Sequence, residues 1–186
     1  MSATPTLEDF DRTWRNPVFG SGDICELSGI SLPALKKYVR TGVLFTESRY
    51  QTKKGKARGF SLGDLCQARA MGKMMEVFGM NADRARYCAW GFTTAMKVMA
   101  MAFAQGKDLD LSLLAVCWPY EDNRECYGAH AIPGGELQSL LDECIYRPQF
   151  CGLVVTRQLL WDTVVSPCLE FALQNMEARR DDALAK

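Results

Sequence analysis

The sequence predicts an α+β fold that begins with a helical, basic half and ends with a small module of strands and helices. Three observations support this prediction. Residues 19–80 contain helix-capping residues and glycines that can end helices, which predicts several short helices. Apolar residues dominate 81–106, and β-branched or aromatic runs typical of strands appear after 107. We therefore divide the 186 residues into an irregular arm (1–18), a helical module (19–80), a linking helix (81–106) and an α+β module (107–186).

Charge is distributed unevenly, although the formal net charge is zero. Residues 1–87 hold 14 basic and 9 acidic side chains, whereas residues 88–186 hold 8 and 13. Because electrostatic fields act locally, a basic face for nucleic acid is compatible with overall neutrality. An apolar content of 48% excludes a disordered or collagen-like chain. The densest basic segment is 36–58, where Glu47 is the one acid beside Lys36, Lys37, Arg40, Arg49, Lys53, Lys54, Lys56 and Arg58.

Two short helices separated by a turn of about three residues are predicted in the basic half. Ser21 is a suitable N-cap for the first helix, which Gly29 ends. Ser31 can cap the second helix, and Pro33 is tolerated there because the first turn needs no amide donor. Gly42 ends this second helix. The spacing is typical of a helix-turn-helix.

The next segment, 46–60, lacks apolar periodicity and holds lysines and glycines between two aromatic residues, which predicts a β-hairpin wing. Ser61 and Asp64 then have the spacing of a capping box at the start of a third helix, which Gly79 closes. A fourth helix is predicted over 81–105. Its apolar residues cover more than one face, so we expect part of it to be buried.

The acidic half is predicted to contain strands as well as helices. Strand-like runs cover 113–118, 126–132 and 150–156. Residues 157–165 fit either a helix or a strand. Ser166-Pro167 combines an N-cap with a first-turn proline, so we expect the last helix to begin there.

Taken together, the motifs of residues 19–90 resemble the winged helix-turn-helix of the MerR family of transcription regulators. The motifs that carry the resemblance are GDICELSGISLPALKKY (22–38), TGVL (41–44), Arg58-Gly59-Phe60-Ser61 and the closing Gly79. Val43 and Phe60 replace the Leu and Tyr of the family pattern. The resemblance implies DNA binding by a homodimer that is held together by a long helix. The 81–105 helix departs from the family, since it is apolar nearly all round.

A recognition helix enters the major groove by its first turns. Lys36, Lys37 and Arg40 can reach phosphates or guanine edges from the second helix, while the wing cations set affinity and register. The predicted DNA-binding residues are Ser31, Pro33, Ala34, Lys36, Lys37, Tyr38, Arg40, Lys53, Lys54, Lys56 and Arg58. The alternatives are a solvated charged face for the cations and a packing role for Tyr38.

Aromatic residues of the acidic half are candidates for an effector pocket, with core packing as the alternative: Trp118, Tyr120, Tyr127 and Trp161. The eight cysteines include no C-x-x-C pair and there is one histidine, so we predict no metal site and no other cofactor. No GxSxG, HExxH or P-loop motif occurs. We therefore predict no catalytic residue and expect a protein that is not an enzyme.

The N-terminus lacks the pattern of an export signal, and the most apolar segment, 95–104, is about half the length of a membrane span. We therefore expect a cytoplasmic protein without a membrane partner. The expected function is sequence-specific transcription regulation by a homodimer on double-stranded DNA, with 107–186 serving dimerisation or sensing a small-molecule or protein effector. One alternative is an architectural DNA-binding protein of a phage or mobile element, of the excision or packaging type. Another is a protein whose basic segment contacts RNA or protein.

Overall fold

A computed structural model describes residues 12, 14–16, 18–44, 59–111, 114–119, 126–132 and 153–184. Helices dominate this part of the chain, and one small sheet accompanies them. The elements are α1 (Ser21–Ser28), α2 (Leu32–Arg40), α3 (Leu62–Phe78), α4 (Ala82–Gly91), α5 (Thr93–Ala104), β1 (Leu114–Pro119), β2 (Cys126–Ile132), β3 (Leu153–Thr156), α6 (Arg157–Leu160), a π-helical turn (Trp161–Val165) and α7 (Ser166–Leu184).

The pair α1 and α2 lies where two short helices were predicted, but the predicted N-cap of the first helix is wrong, since Gly20 is the N-cap and Ser21 is the first residue of α1. Gly29, with a φ of 72°, ends α1, and Gly42, with a φ of 69°, follows α2. The buried Ser28 side chain orders the turn between them. Its hydroxyl donates to the Ile24 carbonyl (2.6 Å) and accepts from the Ile30 amide (3.1 Å). The turn is therefore fixed by a side chain and not only by the glycine.

Helix α3 is the centre of the molecule. Its predicted capping box is confirmed, since Ser61 Oγ accepts from the Asp64 amide (3.1 Å) and Asp64 Oδ2 accepts from the Ser61 amide (2.9 Å). The residues from 61 to 68 are all buried. At Gly72, a Cβ would lie 2.0 Å from the Ser28 carbonyl oxygen. The absence of a side chain at this glycine therefore lets α1 and α3 touch through their backbones.

The single helix predicted over 81–105 is instead two helices, α4 and α5. Asn81 Oδ1 accepts from the Arg84 amide (2.9 Å), which confirms the predicted start. The helices meet at Phe92, whose ring is fully buried. Gly91 weakens the helix at this point, and the Thr93 hydroxyl turns back to the Ala89 carbonyl (3.3 Å).

Three strands form one antiparallel sheet in the order β2-β1-β3. Leu114 of β1 pairs with Thr156 of β3, and Cys117 pairs with Gly128 of β2. The strands β1 and β2 lie against α4. Strand β2 has the predicted bounds, and β3 covers 153–156 of the predicted 150–156, whose first three residues lie outside the described ones.

The predicted fold class, an α+β fold with a winged helix-turn-helix, a linking helix and a separate α+β module, is wrong. The described residues are mostly helical, and their strands are short. The wing was predicted over 46–60, of which 46–58 lies outside the described residues. Next to it, the extended backbone forms an isolated bridge between Phe19 and Phe60. The apolar segments 81–105 and 157–172 pack on α3 and form a shared helical core with it, and α4 and α5 also contact the sheet.

One buried cluster therefore joins residues from both halves of the chain. The ring of Phe171 in α7, for example, packs at a tilt against the ring of Phe19, with the ring centroids 6.2 Å apart. Trp14, in the predicted irregular arm, is buried, and a Cβ at Gly63 would lie 2.8 Å from its indole nitrogen. The largest fully buried side chains are Trp14, Phe60, Phe92, Ile24, Leu35, Leu62, Leu65, Met71, Met96, Met99 and Val164. The segment boundaries at 80 and 106 stay predictions, but packing continues across both.

The last helical region begins earlier than predicted. Thr156 Oγ1 accepts from the Leu159 amide (3.1 Å) and caps α6, so 157–165 is helical. The α-helix α7 begins at Ser166, as predicted, but it continues this helical run directly, so Ser166 is not an N-cap. Pro167 lies inside this helical run and provides no amide hydrogen for the Thr163 carbonyl. Among the described helices, none is long and apolar enough to span a bilayer.

Candidate nucleic-acid interface

Helix α2 has one buried face and one basic, exposed face. Leu35 is 1% exposed and packs into the core, whereas Lys36, Lys37 and Arg40 are exposed. Ser31 and Pro33 are exposed as well, and Ala34 and Tyr38 are half-buried. The structure thus brings together all of the predicted DNA-binding residues that belong to α2 and its N-cap. No acidic side chain in the described ranges pairs with the three cations.

The N-cap of α2 differs from that of α3. Ser61 accepts a hydrogen bond from its own helix, but Ser31, also an N-cap, makes no capping hydrogen bond through its side chain. The first amides of α2 therefore keep their donor capacity at the positive end of the helix dipole. Such an end favours phosphate oxygens.

The loop after α2 is tied to the core. The amides of Val43 and Leu44 both donate to the Tyr38 carbonyl, at 2.7 and 3.1 Å. Arg86 of α4 donates to the Gly42 carbonyl (2.8 Å), and its guanidinium lies 4.2 Å from the centre of the Tyr87 ring. Sequence reasoning missed Arg86, because nothing in the local pattern connects it with a residue so far back in the chain.

The predicted wing cations lie outside the described residues: Lys53, Lys54, Lys56 and Arg58. The end of the predicted wing is described, however. The Val18 and Phe19 amides both donate to the Phe60 carbonyl (2.9 Å), and the Phe60 ring is buried.

Arg69 connects the helix pair with the C-terminal helices, and it was also missed. From α3, its Nε donates to the Thr163 carbonyl (2.5 Å) and its Nη1 donates to the Leu27 carbonyl (2.6 Å). The Thr163 carbonyl is the one whose usual helical donor is missing, because residue 167 is a proline. Proline in a helical segment could have suggested that a distant side chain satisfies this oxygen.

The predicted effector residues are only partly brought together. The backbones of Trp118 and Tyr127 pair directly across β1 and β2. Tyr120 lies outside the described residues, as do the side chains of that pair. Trp161, in the π-helical turn, is half-buried and packs against Phe103 of α5 with ring centroids 5.3 Å apart and ring planes tilted by 50°.

Two cysteine side chains in the described region contribute to core packing. Cys66 of α3 and Cys168 of α7 are both buried. Burial raises the pKa of Cys168 well above the usual thiol range, and the neighbouring Cys66 adds to this rise. The thiol is therefore neutral at physiological pH. Within the described ranges, no three metal-ligating side chains come together.

No model of a known protein family matches the chain, and no curated protein matches it significantly. The resemblance of 19–90 to MerR regulators therefore stays a prediction. Function is inferred from the arrangement of residues on α2 and around it.

Proposed function

We propose that the protein is a sequence-specific DNA-binding transcription regulator, not an enzyme, and that it acts in the cytoplasm with α2 as its recognition helix. The observation that carries the proposal is the basic face of α2. Lys36, Lys37 and Arg40 are exposed and without acidic partners in the described part of the chain, while Leu35 holds the opposite face in the core.

The shape of α2 supports this role. Ser31 and Pro33 are small and exposed at its N-terminal end, so the first turn can approach base edges closely. Lysine and arginine on the following turn suit guanine edges and phosphates. Arg86 and the backbone hydrogen bonds after α2 limit its freedom, which reduces the entropy lost on binding.

A homodimer is proposed through α4 and α5. Trp90, near the end of α4, is 42% exposed, and Val98 of α5 is 41% exposed. Large exposed apolar side chains are typical of interaction surfaces. A twofold dimer would present two copies of α2 to half-sites about one helical turn of DNA apart.

The test is selection of bound sequences from random DNA, followed by affinity measurements on the selected site. We expect an inverted repeat with a fixed half-site spacing. Lys37→Ala should weaken binding by about tenfold or more where the lysine contacts a base, or reduce the salt slope by about 0.9 where it contacts a phosphate. Lys107→Ala removes an exposed lysine outside α2 and is the matched control.

Equal effects of Lys37→Ala and Lys107→Ala would refute the assignment of α2. Full affinity at low salt after simultaneous replacement of Lys36, Lys37 and Arg40 by alanine would refute DNA binding by this face. Repeated sites with strong bending would instead indicate an architectural DNA-binding protein.

A further inference from the structure

Among the described residues, Arg157 is a buried cation without an acidic partner. Its side chain is 8% exposed, and Nη1 donates to the Asp110 carbonyl (3.2 Å). Within the described residues, its buried Nε has no hydrogen-bond partner. A guanidinium stays charged in proteins, and burying it unpaired is costly. An anion bound beside Arg157 would offset this cost.

The surroundings of Arg157 are aromatic and partly open. Arg157 is the first residue of α6, and the Trp161 amide donates to its carbonyl, so the two side chains lie one helical turn apart. The half-buried Trp161 packs against Phe103, which is 49% exposed, with the rings tilted by 50°. Arg157 therefore lies one helical turn from an aromatic pair that solvent reaches.

We propose that Arg157, Trp161 and Phe103 form a binding site for a small aromatic carboxylate. The carboxylate accepts from Arg157, whose planar donors match its two oxygens, and the ring packs on the aromatic pair. A carboxylate fits better than a phosphate for two reasons. One buried cation balances the single negative charge of a carboxylate. The surrounding half of the chain, 88–186, is acidic, with 13 acidic against 8 basic side chains, and disfavours a more highly charged anion. As an effector site, it rests on the proposed regulatory function.

The experiment measures binding of benzoate, benzamide and inorganic phosphate to the full chain without DNA, by titration calorimetry. We expect benzoate to bind at least tenfold more tightly than uncharged benzamide, and phosphate to bind more weakly than benzoate. Arg157→Gln should abolish the preference for benzoate over benzamide, whereas Trp161→Ala should weaken both. Arg84→Gln, which removes an exposed cation on α4, is the matched control and should change nothing.

Stability supplies a second readout. Since no acidic side chain in the described ranges pairs with this charge, unliganded Arg157→Gln should unfold at the same or a higher urea concentration than wild type. A clear loss of stability would assign Arg157 a structural role and overturn the proposal. If the variant does not fold, that loss counts against the site in the same way.

Equal binding of benzoate and benzamide, tighter binding of phosphate, or binding of none of the three also overturns the carboxylate site. None of these measurements involves DNA. Failure of benzoate to bind would therefore leave the assignment of α2 intact, and failure of DNA binding would leave the ligand result intact.

Discussion

Replacing Gly72 by alanine tests the central packing contact of the fold. Helix propensity alone predicts that this change stabilises the protein by about 1 kcal/mol, because alanine is the better helix former. The structure predicts the opposite sign. A Cβ at Gly72 would lie 2.0 Å from the Ser28 carbonyl oxygen, so α1 and α3 must separate by about 1 Å or more to reach an ordinary contact.

The size of the effect follows from the nature of the obstacle. Overpacking a core costs about 1–3 kcal/mol, and this contact belongs at the upper end because a backbone carbonyl cannot rotate away as a side chain can. After the propensity gain of about 1 kcal/mol, we expect a net loss of about 1–2 kcal/mol. For a chain of this length, that loss lowers the melting temperature by about 2–8 °C.

Urea denaturation followed by circular dichroism measures the free energy of unfolding of Gly72→Ala against wild type. Gly22→Ala is the control, because Gly22 is also in a helix and a Cβ there meets nothing within 4 Å. We expect this control to be at least as stable as wild type. A Gly72→Ala protein as stable as wild type would refute the backbone contact between α1 and α3.

Two further predictions concern the turn and the buried thiol. Ser28→Ala should lower the free energy of unfolding by about 1–3 kcal/mol, because the buried Ile30 amide loses its acceptor. Urea denaturation measures this loss, with Ser21→Ala at a half-buried position as the control. Equal effects of the two substitutions would contradict the role of Ser28. Because burial raises the pKa of Cys168 in the folded state above the unfolded value of about 8.5, its contribution to stability is complete below that pH and is lost as pH rises above it. Urea denaturation at pH 7 and 9.5 should show a smaller decline for Cys168→Ala than for wild type, and an identical decline would disprove the coupling.

Helix ends could be predicted from the sequence because capping acts over a few residues. The Ser61–Asp64 capping box, the Asn81 cap and the positive φ at Gly29 and Gly79 all occur where short-range patterns indicate them. The exposed cations of α2 were predictable for the same reason, since the position of Leu35 fixes which side of the helix faces the core.

The fold class was not predictable, because it depends on which distant faces meet. The apolar residues of α5 were compatible with either a dimer helix or a core helix, and the structure places Met96 and Met99 in the core. The Ser166-Pro167 pair has the local pattern of a helix start. The residues before it are helical nevertheless, because the Thr156 cap starts the helix earlier and Arg69 supplies the donor that the proline lacks.

The hydrogen bonds of Arg69 also limit which segments of the chain can be removed without disturbing the rest of the fold. One guanidinium holds the end of α1 and the middle of the C-terminal helical run, so residues 27, 69 and 163 belong to one folding unit. A chain cut near residue 106 would leave the Arg69 side chain without the Thr163 carbonyl and would expose the α3 surface that α7 covers. We therefore expect that a protease or a truncation cannot release the helix pair as an intact, autonomous module. We expect the two halves of this chain to fold and unfold together.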